Sequence, residues 1–354
     1  MKLLIRAPNW LGDCVMALPA FDSIRAAFPD ADIVVAARRP LTQLYEMMSG
    51  WNGVSLISRG RGLTGLKNRW SDSAALRGRN FDAVVLFPNS IGTAIESLVA
   101  RIPVRIGYAR GGRGALLTHP VSATDGILDR HQIFYYLRLA ERLAAQYGVA
   151  VPPEFRGDGD KPPVPSLTVP ESVLSDARAL IQSALSSSPD EPFYAFAAGA
   201  AYGSAKEWPR EHFAALAKII RDKTGERVIV VGGPGEADAC AEVESLSDGA
   251  AVSLAGKTTL PQLAGVLSLA KGYVGNDSGA SHLAAAVGTP SVVLFGSTKM
   301  THTAPVGTRV SLLNLHLDCA PCMKRVCPLG HRNCLRCITP EMAADALAGY
   351  ETKV

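Results

Sequence analysis

Short apolar runs alternate with helix-periodic segments twice along this chain, and a stretch in which no helix can form separates the two series. In the first series the runs from Lys2 to Ala7, Asp32 to Ala37, Val54 to Ile57 and Ala83 to Phe87 read as strands, and Asp13 to Phe28 and Leu41 to Met48 read as helices. A long amphipathic helix is expected from about Asp129 to Tyr147, with Ile133, Tyr136, Leu137, Ala140 and Leu143 at helical spacing. Pro152, Pro153, Pro162, Pro163, Pro165 and Pro170, with Gly157 and Gly159 among them, then make a connector. The pattern restarts with a helix from Glu171 to Leu185, a strand from Phe193 to Ala197, a helix from Arg210 to Lys223 and a strand from Arg227 to Val231. Strands joined through helices pair in parallel, so an α/β fold with a parallel sheet in each half is expected. The expected domains are 1–170 and 171–354, with a ligand cleft between them. The two halves share no sequence repeat.

The 354 residues, 47% hydrophobic and 19% charged, suit two folded domains of ordinary size. The opening Met-Lys-Leu-Leu-Ile is broken by Arg6, Pro8 and Asn9 before a secretory apolar segment can develop, and no membrane-spanning run follows, so a cytoplasmic protein is expected. A net charge of +4 is too small to argue for nucleic acid. Its placement is uneven. Arg59, Arg61, Lys67, Arg69, Arg77 and Arg79 are offset by the single acid Asp72, and Arg101, Arg105, Arg110 and Arg113 follow. A solvated surface accounts for any one such cluster, whereas the summed field of several arginines suits an anionic partner or an acidic membrane surface.

The densest local signal runs from Gly275 to Gly296. Tyr273 and Val274 close an apolar run, and Asn276-Asp277-Ser278-Gly279 forms a polar turn. Ser278 is placed to N-cap a short helix containing His282, which Gly288 and Pro290 terminate. Such a loop opens at the carboxyl edge of a parallel sheet, where unpaired helix N–H groups hold anions. A capped helix with a packing histidine would give the same local pattern. Two more loops fall on the same kind of edge. Arg6-Ala-Pro-Asn-Trp-Leu-Gly-Asp13 sets Asp13 in the first turn of the first helix, either as helix-dipole decoration or as a base. Gly199 to Pro209 places Lys206 beside glycine backbone, as a phosphate contact or as one more surface lysine. Thr259-Leu-Pro-Gln262 reads as a capping box with proline in the first turn.

Other motifs fail on spacing or position. Gly256-Lys257-Thr258 resembles the end of a P-loop, but the earlier glycine falls on Ala251, and Gly232-Gly233-Pro234-Gly235 lacks the dinucleotide spacing. Asp30-x-Asp32 precedes its strand and Asp158-x-Asp160 lies in the connector, so neither makes a convincing metal-ligand set. Near the C-terminus Cys319, Cys322, Cys327, Cys334 and Cys337 enclose His331 at spacings suited to a structural zinc site, the alternative being reduced cysteines in a compact loop. A cytosolic location argues against disulfides. Cys14 and Cys240 stand alone in apolar helices and read as core residues.

The Arg6–Asp13 loop, Gly199 with Lys206-x-Trp208-Pro209, Leu254-Ala-Gly-Lys-Thr258, Asn276-Asp-Ser-Gly279 with His282, and Cys327-Pro-Leu-Gly-His331 together resemble the ADP-heptose:lipopolysaccharide heptosyltransferases, family 9 of the glycosyltransferases. The resemblance covers nearly the whole chain. It implies a GT-B architecture of two Rossmann-like domains, the first binding acceptor and the second ADP-heptose. It implies inverting transfer of heptose from ADP-L-glycero-D-manno-heptose to the first inner-core heptose of lipopolysaccharide, with no cofactor required for catalysis and Asp13 as the base. Lys206, Asp277, Ser278, Gly279 and the following helix N-terminus would hold the diphosphate in place of a divalent metal. Glu236 would contact ribose or adenosine, and His282 would reach the ligand or brace the loop.

A carboxylate repels a diphosphate, so Asp277 is expected to accept hydrogen bonds from sugar hydroxyls or loop amides while Ser278 and Gly279 face phosphate. Arg59, Arg61 and Arg69 suit the acceptor, heptosyl-Kdo2-lipid A, which carries carboxylates and phosphates, with peripheral contact at the cytoplasmic face of the inner membrane. Two alternatives stand beside this reading. A GT-B heptosyltransferase with another acceptor would keep the diphosphate loop, and a non-enzymatic metal- or anion-binding protein would have no use for Asp13 paired with Lys206.

Overall fold

Six short strands, β1 (Lys2–Arg6), β2 (Asp32–Ala37), β3 (Gly53–Leu56), β4 (Ala83–Leu86), β5 (Val104–Tyr108) and β6 (His119–Val121), line up in the order β3-β2-β1-β4-β5-β6. Six more, β7 (Phe193–Ala197), β8 (Arg227–Val230), β9 (Ala251–Ser253), β10 (Gly272–Asn276), β11 (Ser291–Leu294) and β12 (Val310–Leu313), form a second sheet in the order β12-β11-β10-β7-β8-β9. These elements come from a computed structural model that describes residues 1–58, 62–123, 126–186 and 191–351. The chain divides into two compact units, Met1–Pro165 and Ser166–Val354, each containing one sheet.

All pairings are parallel. Strands covered on both faces read as unbroken apolar runs, which is why β2 and β7 were legible: Ile33 to Ala37 and Phe193 to Ala197 are all buried. Counted from its own first strand, the second sheet has the same order as the first read from the opposite edge. Each therefore has one topological switch point, between β1 and β4 in the first unit and between β7 and β10 in the second. Ligands of doubly wound sheets bind beyond the carboxyl ends of those strands. The sequence halves do not repeat, yet the topology does.

Local departures have identifiable causes. The helix expected from Asp13 to Phe28 breaks at Ala17 into Leu11–Met16 and Leu18–Ala27, with Pro19 in the first turn of the second piece, where its missing N–H costs nothing. The capping box forms: Thr259 Oγ1 accepts from Gln262 N at 3.3 Å, and Gln262 Oε1 accepts from Thr259 N at 2.9 Å. Helices Gly62–Arg77 and Ile91–Val99 carry no clean inward apolar stripe and were not legible. Among the described residues, no helix is long and apolar enough to cross a membrane.

Candidate active site

The second switch point is built around one amide side chain. Asn276, the last residue of β10, is fully buried. Its Nδ2 donates to Ala198 O at 2.8 Å, and its Oδ1 accepts from Trp208 N at 2.9 Å. Three of its bonding positions thus go to the loop after β7, including a longer bond to Gly199 O at 3.4 Å. Trp208 anchors the far end of that loop: it is 1% exposed, packs edge-on against Phe213 and donates from Nε1 to Ile338 O at 2.8 Å.

The clamp sets Lys206 against Asp277. Lys206 Nζ lies 2.5 Å from Asp277 Oδ2, and Thr298 Oγ1 donates to the same oxygen at 2.6 Å. Asp277, expected to accept from loop amides or sugar hydroxyls, is here paired with the lysine and a threonine hydroxyl. Both charges are largely withdrawn from water, an arrangement that holds only because they are paired. An ammonium has three N–H groups, so the pair does not exhaust Lys206 as a donor. Its Nζ also stands 4.9 Å from the Tyr202 ring centre.

Ser278 is the N-cap residue of helix Gly279–Ala286, as its position foretold, but its side chain makes no cap bond. Its Oγ is buried without a hydrogen-bond partner. The first-turn amides at Gly279 and Ala280 are therefore not consumed by their own cap. His282 is buried one turn further along. Glu236 reaches the same edge from beyond β8: its Oε2 accepts from Gly233 N at 2.7 Å, and a Cβ on Gly199 would fall on its Oε1. Lys206, Glu236, Asp277, Ser278 and Gly279 thus gather beyond β7, β8 and β10. Asn276 was read only as part of the turn, and Tyr202 and Thr298 were not singled out. The available signal for Thr298 was its polar cluster directly after the buried run of β11.

The cysteine-bearing segment packs onto this edge. Ala205 N donates to Arg325 O at 3.0 Å, Arg332 Nη1 to Ser204 O at 3.3 Å, and Met323 N to Ser297 O at 2.7 Å. Gly203 has φ +152°, and a Cβ there would strike the Arg325 carbonyl. None of the seven cysteines forms a disulfide. Burial pushes the Cys334 thiol up, reinforced by Cys319, Cys327 and Cys322 nearby, whereas the N–H groups led by Arg332 pull the exposed Cys327 thiol down. Among the described residues, no three His, Cys, Asp or Glu side chains converge as metal ligands.

In the first unit Asp13 occupies the first turn of helix Leu11–Met16, just beyond β1. Tyr136, a buried residue of helix Gln132–Gln146, donates its phenol to Asp13 Oδ1 at 3.0 Å. Burial, and then the Asp13 charge, push the Tyr136 phenol well above the usual tyrosine range, so it stays a donor. Trp10, the residue capping this helix, is exposed. Across the switch point Arg113, fully buried, donates to Tyr108 O, Pro88 O, Thr93 Oγ1 and Asn89 Oδ1, fixing the loop after β4.

Arg6 is buried beneath that edge, 3.8 Å from Glu96, and desolvation lowers its guanidinium to about 10. Arg69 reaches the other Glu96 oxygen at 3.7 Å and lies over Gly92. Of the three arginines expected to meet the acceptor, Arg69 is half exposed on helix Gly62–Arg77, and Arg59 and Arg61 lie outside the described residues.

The model of glycosyltransferase family 9 (heptosyltransferase) matches residues 69–332. The lipopolysaccharide heptosyltransferase 2 of Salmonella typhimurium is 29% identical over 98% of this chain and 97% of its own length. The lipooligosaccharide heptosyltransferase 2 of Haemophilus influenzae is 27% identical over 98% of each. The solved structure of the Escherichia coli ADP-heptose lps heptosyltransferase II superposes with a TM-score of 0.83 at 26% identity, covering 100% of both chains. The two Rossmann-like sheets are those of a GT-B enzyme.

Proposed function

This chain belongs to glycosyltransferase family 9, and from that membership we propose that it transfers heptose from ADP-heptose to the first heptose of the lipopolysaccharide inner core. The observation that carries the donor half is the Lys206–Asp277–Thr298 cluster at the β7/β10 switch point, set beside the uncapped start of helix Gly279–Ala286. A nucleotide diphosphate supplies the charge those groups recognise.

The two units divide the work. An acceptor hydroxyl oxygen attacks the anomeric carbon from the face opposite the leaving group, the bond from that carbon to the diphosphate oxygen breaks, and configuration inverts. Asp13 takes the hydroxyl proton as general base, held by Tyr136. On the donor side, Lys206 and the amides of Gly279 and Ala280 take up the charge that develops on the departing ADP. Asp277 fixes Lys206 in place, and Glu236, lodged against Gly199, is set for the ribose hydroxyls.

The acceptor side is the first unit, where arginines including Arg69 suit the carboxylates and phosphates of heptosyl-Kdo2-lipid A. A lipid-anchored acceptor also implies peripheral contact with the cytoplasmic face of the inner membrane. Incubating the protein with ADP-heptose and heptosyl-Kdo2-lipid A tests the reading: product gains one heptose and free ADP appears in equal amount. Release of ADP without product, or heptose transfer only to an acceptor lacking the first heptose, would refute it.

A further inference from the structure

The Ile91–Val99 helix is built inside out. Thr93, Glu96 and Ser97 are buried, whereas Ile91, Ile95 and Leu98, at positions i, i+4 and i+7, face water with 50%, 40% and 42% of their surface exposed. Trp70, on the neighbouring helix Gly62–Arg77, is 68% exposed. It lines a shallow hollow of about 530 Å³ with Ala74, Arg77 and Val99, which joins the two helices into one surface. A continuous apolar patch of this kind marks a binding surface.

Charge on the same surface identifies the partner. Arg77 lines the hollow, and Lys67 and Arg101, on and just after the same two helices, are exposed. The acids of this region are engaged elsewhere: Asp72 accepts from Ser58, Asp82 accepts from the Lys2 amide, and Glu96 is buried beside Arg6. Apolar side chains that enter the headgroup boundary, a tryptophan suited to that depth, and long basic side chains reaching lipid phosphates are the chemistry of an interfacial membrane contact.

We propose that the outer face of helices Gly62–Arg77 and Ile91–Val99 docks on an anionic lipid bilayer, with Trp70, Ile95 and Leu98 entering the headgroup layer and Arg77 and Arg101 meeting lipid phosphates. This rests on the reading above that the acceptor is lipid-anchored, and it assigns the membrane contact to the unit that carries Asp13. The residues concerned are distinct from those placed on donor or acceptor chemistry.

Vesicle co-sedimentation tests it without donor or acceptor. The protein should bind vesicles of phosphatidylethanolamine and phosphatidylglycerol, bind phosphatidylcholine vesicles weakly, and release in high salt. Trp70→Ser/Ile95→Ser/Leu98→Ser should lower partitioning at least about ten-fold, and Arg77→Gln/Arg101→Gln about five-fold per charge removed. Both variants should transfer heptose normally to an acceptor stripped of acyl chains and slowly to one embedded in vesicles. Vesicle binding that ignores lipid charge, or is unchanged in both variants, overturns the proposal. So does concentration-dependent self-association that the triple variant abolishes in the absence of lipid, which would assign the patch to a second copy of the chain. Loss of transfer to both acceptors by the wild type would instead refute the enzymatic reading and leave lipid binding standing.

Discussion

Lys206 Nζ lies 2.5 Å from Asp277 Oδ2, and this ion pair ties the loop after β7 to the loop after β10 across the switch point of the second sheet. On the proposed donor reading, it makes a carboxylate that would repel a diphosphate a positioning group for the cation that attracts one. Lys206→Ala should weaken ADP binding about ten- to hundred-fold, the scale of one hydrogen bond to a charged group. Asp277→Asn should weaken it less, because the amide keeps an acceptor but loses the charge that holds the lysine. Titration calorimetry with ADP measures both. Tighter ADP binding by Asp277→Asn would show that Asp277 acts on the nucleotide by repulsion and not through Lys206.

Tyr136 donates its phenol to the Asp13 carboxylate at 3.0 Å. Tyr136→Phe removes one orienting bond and leaves the carboxylate in place, so kcat should fall about two- to ten-fold with ADP affinity unchanged. Steady-state kinetics beside ADP titration separates the two quantities. A loss of ADP affinity would place Tyr136 in fold maintenance of a kind that reaches the donor unit.

Gly203 is glycine for two reasons at once: φ +152° and the Arg325 carbonyl where a Cβ would stand. Gly203→Ala should cost about 1–3 kcal/mol from backbone strain alone, and should expose the 319–337 segment to protease as its contacts to Ser204 and Ala205 open. Thermal unfolding and limited proteolysis check this. A Tm equal to that of the wild type would mean the segment does not brace the Lys206 loop.

Alkaline stability carries a definite sign. Burial pushes the Cys14 and Cys240 thiols from the ordinary 9.0 up to about 12. A folded-state pKa above the unfolded value means that the stabilisation is fully present below pH 9.0 and is lost as pH rises toward 12. The buried Tyr45 and Tyr136 phenols shift in the same direction. Melting temperature should therefore decline above pH 9.0, and Cys14→Ala should flatten that decline. An unchanged slope in the variant would show that Cys14 is not among the groups titrating on unfolding.

What the sequence disclosed follows from how local each determinant is. Strands β2 and β7 were legible to the residue because both faces are covered and the apolar run is unbroken. The Thr259 capping box was legible because its two bonds close within four residues. The Ile91–Val99 helix was hidden by its inverted pattern, which puts the apolar stripe in water. The pairing of Asp277 with Lys206 was not legible because the two stand 71 residues apart, and nothing in the turn itself signals a lysine. Asn276 was legible as part of a motif but not as the clamp that holds the Lys206 loop, since each of its partners lies on the far side of the switch point.

The division of labour between a base in one unit and a donor site in the other is tested most directly by Asp13→Asn, read in two assays on the same preparation. Single-turnover heptose transfer from ADP-heptose to heptosyl-Kdo2-lipid A should fall about 10²- to 10⁴-fold, while the dissociation constant for ADP stays at its wild-type value. Transfer at the wild-type rate would contradict the assignment of Asp13 as the base.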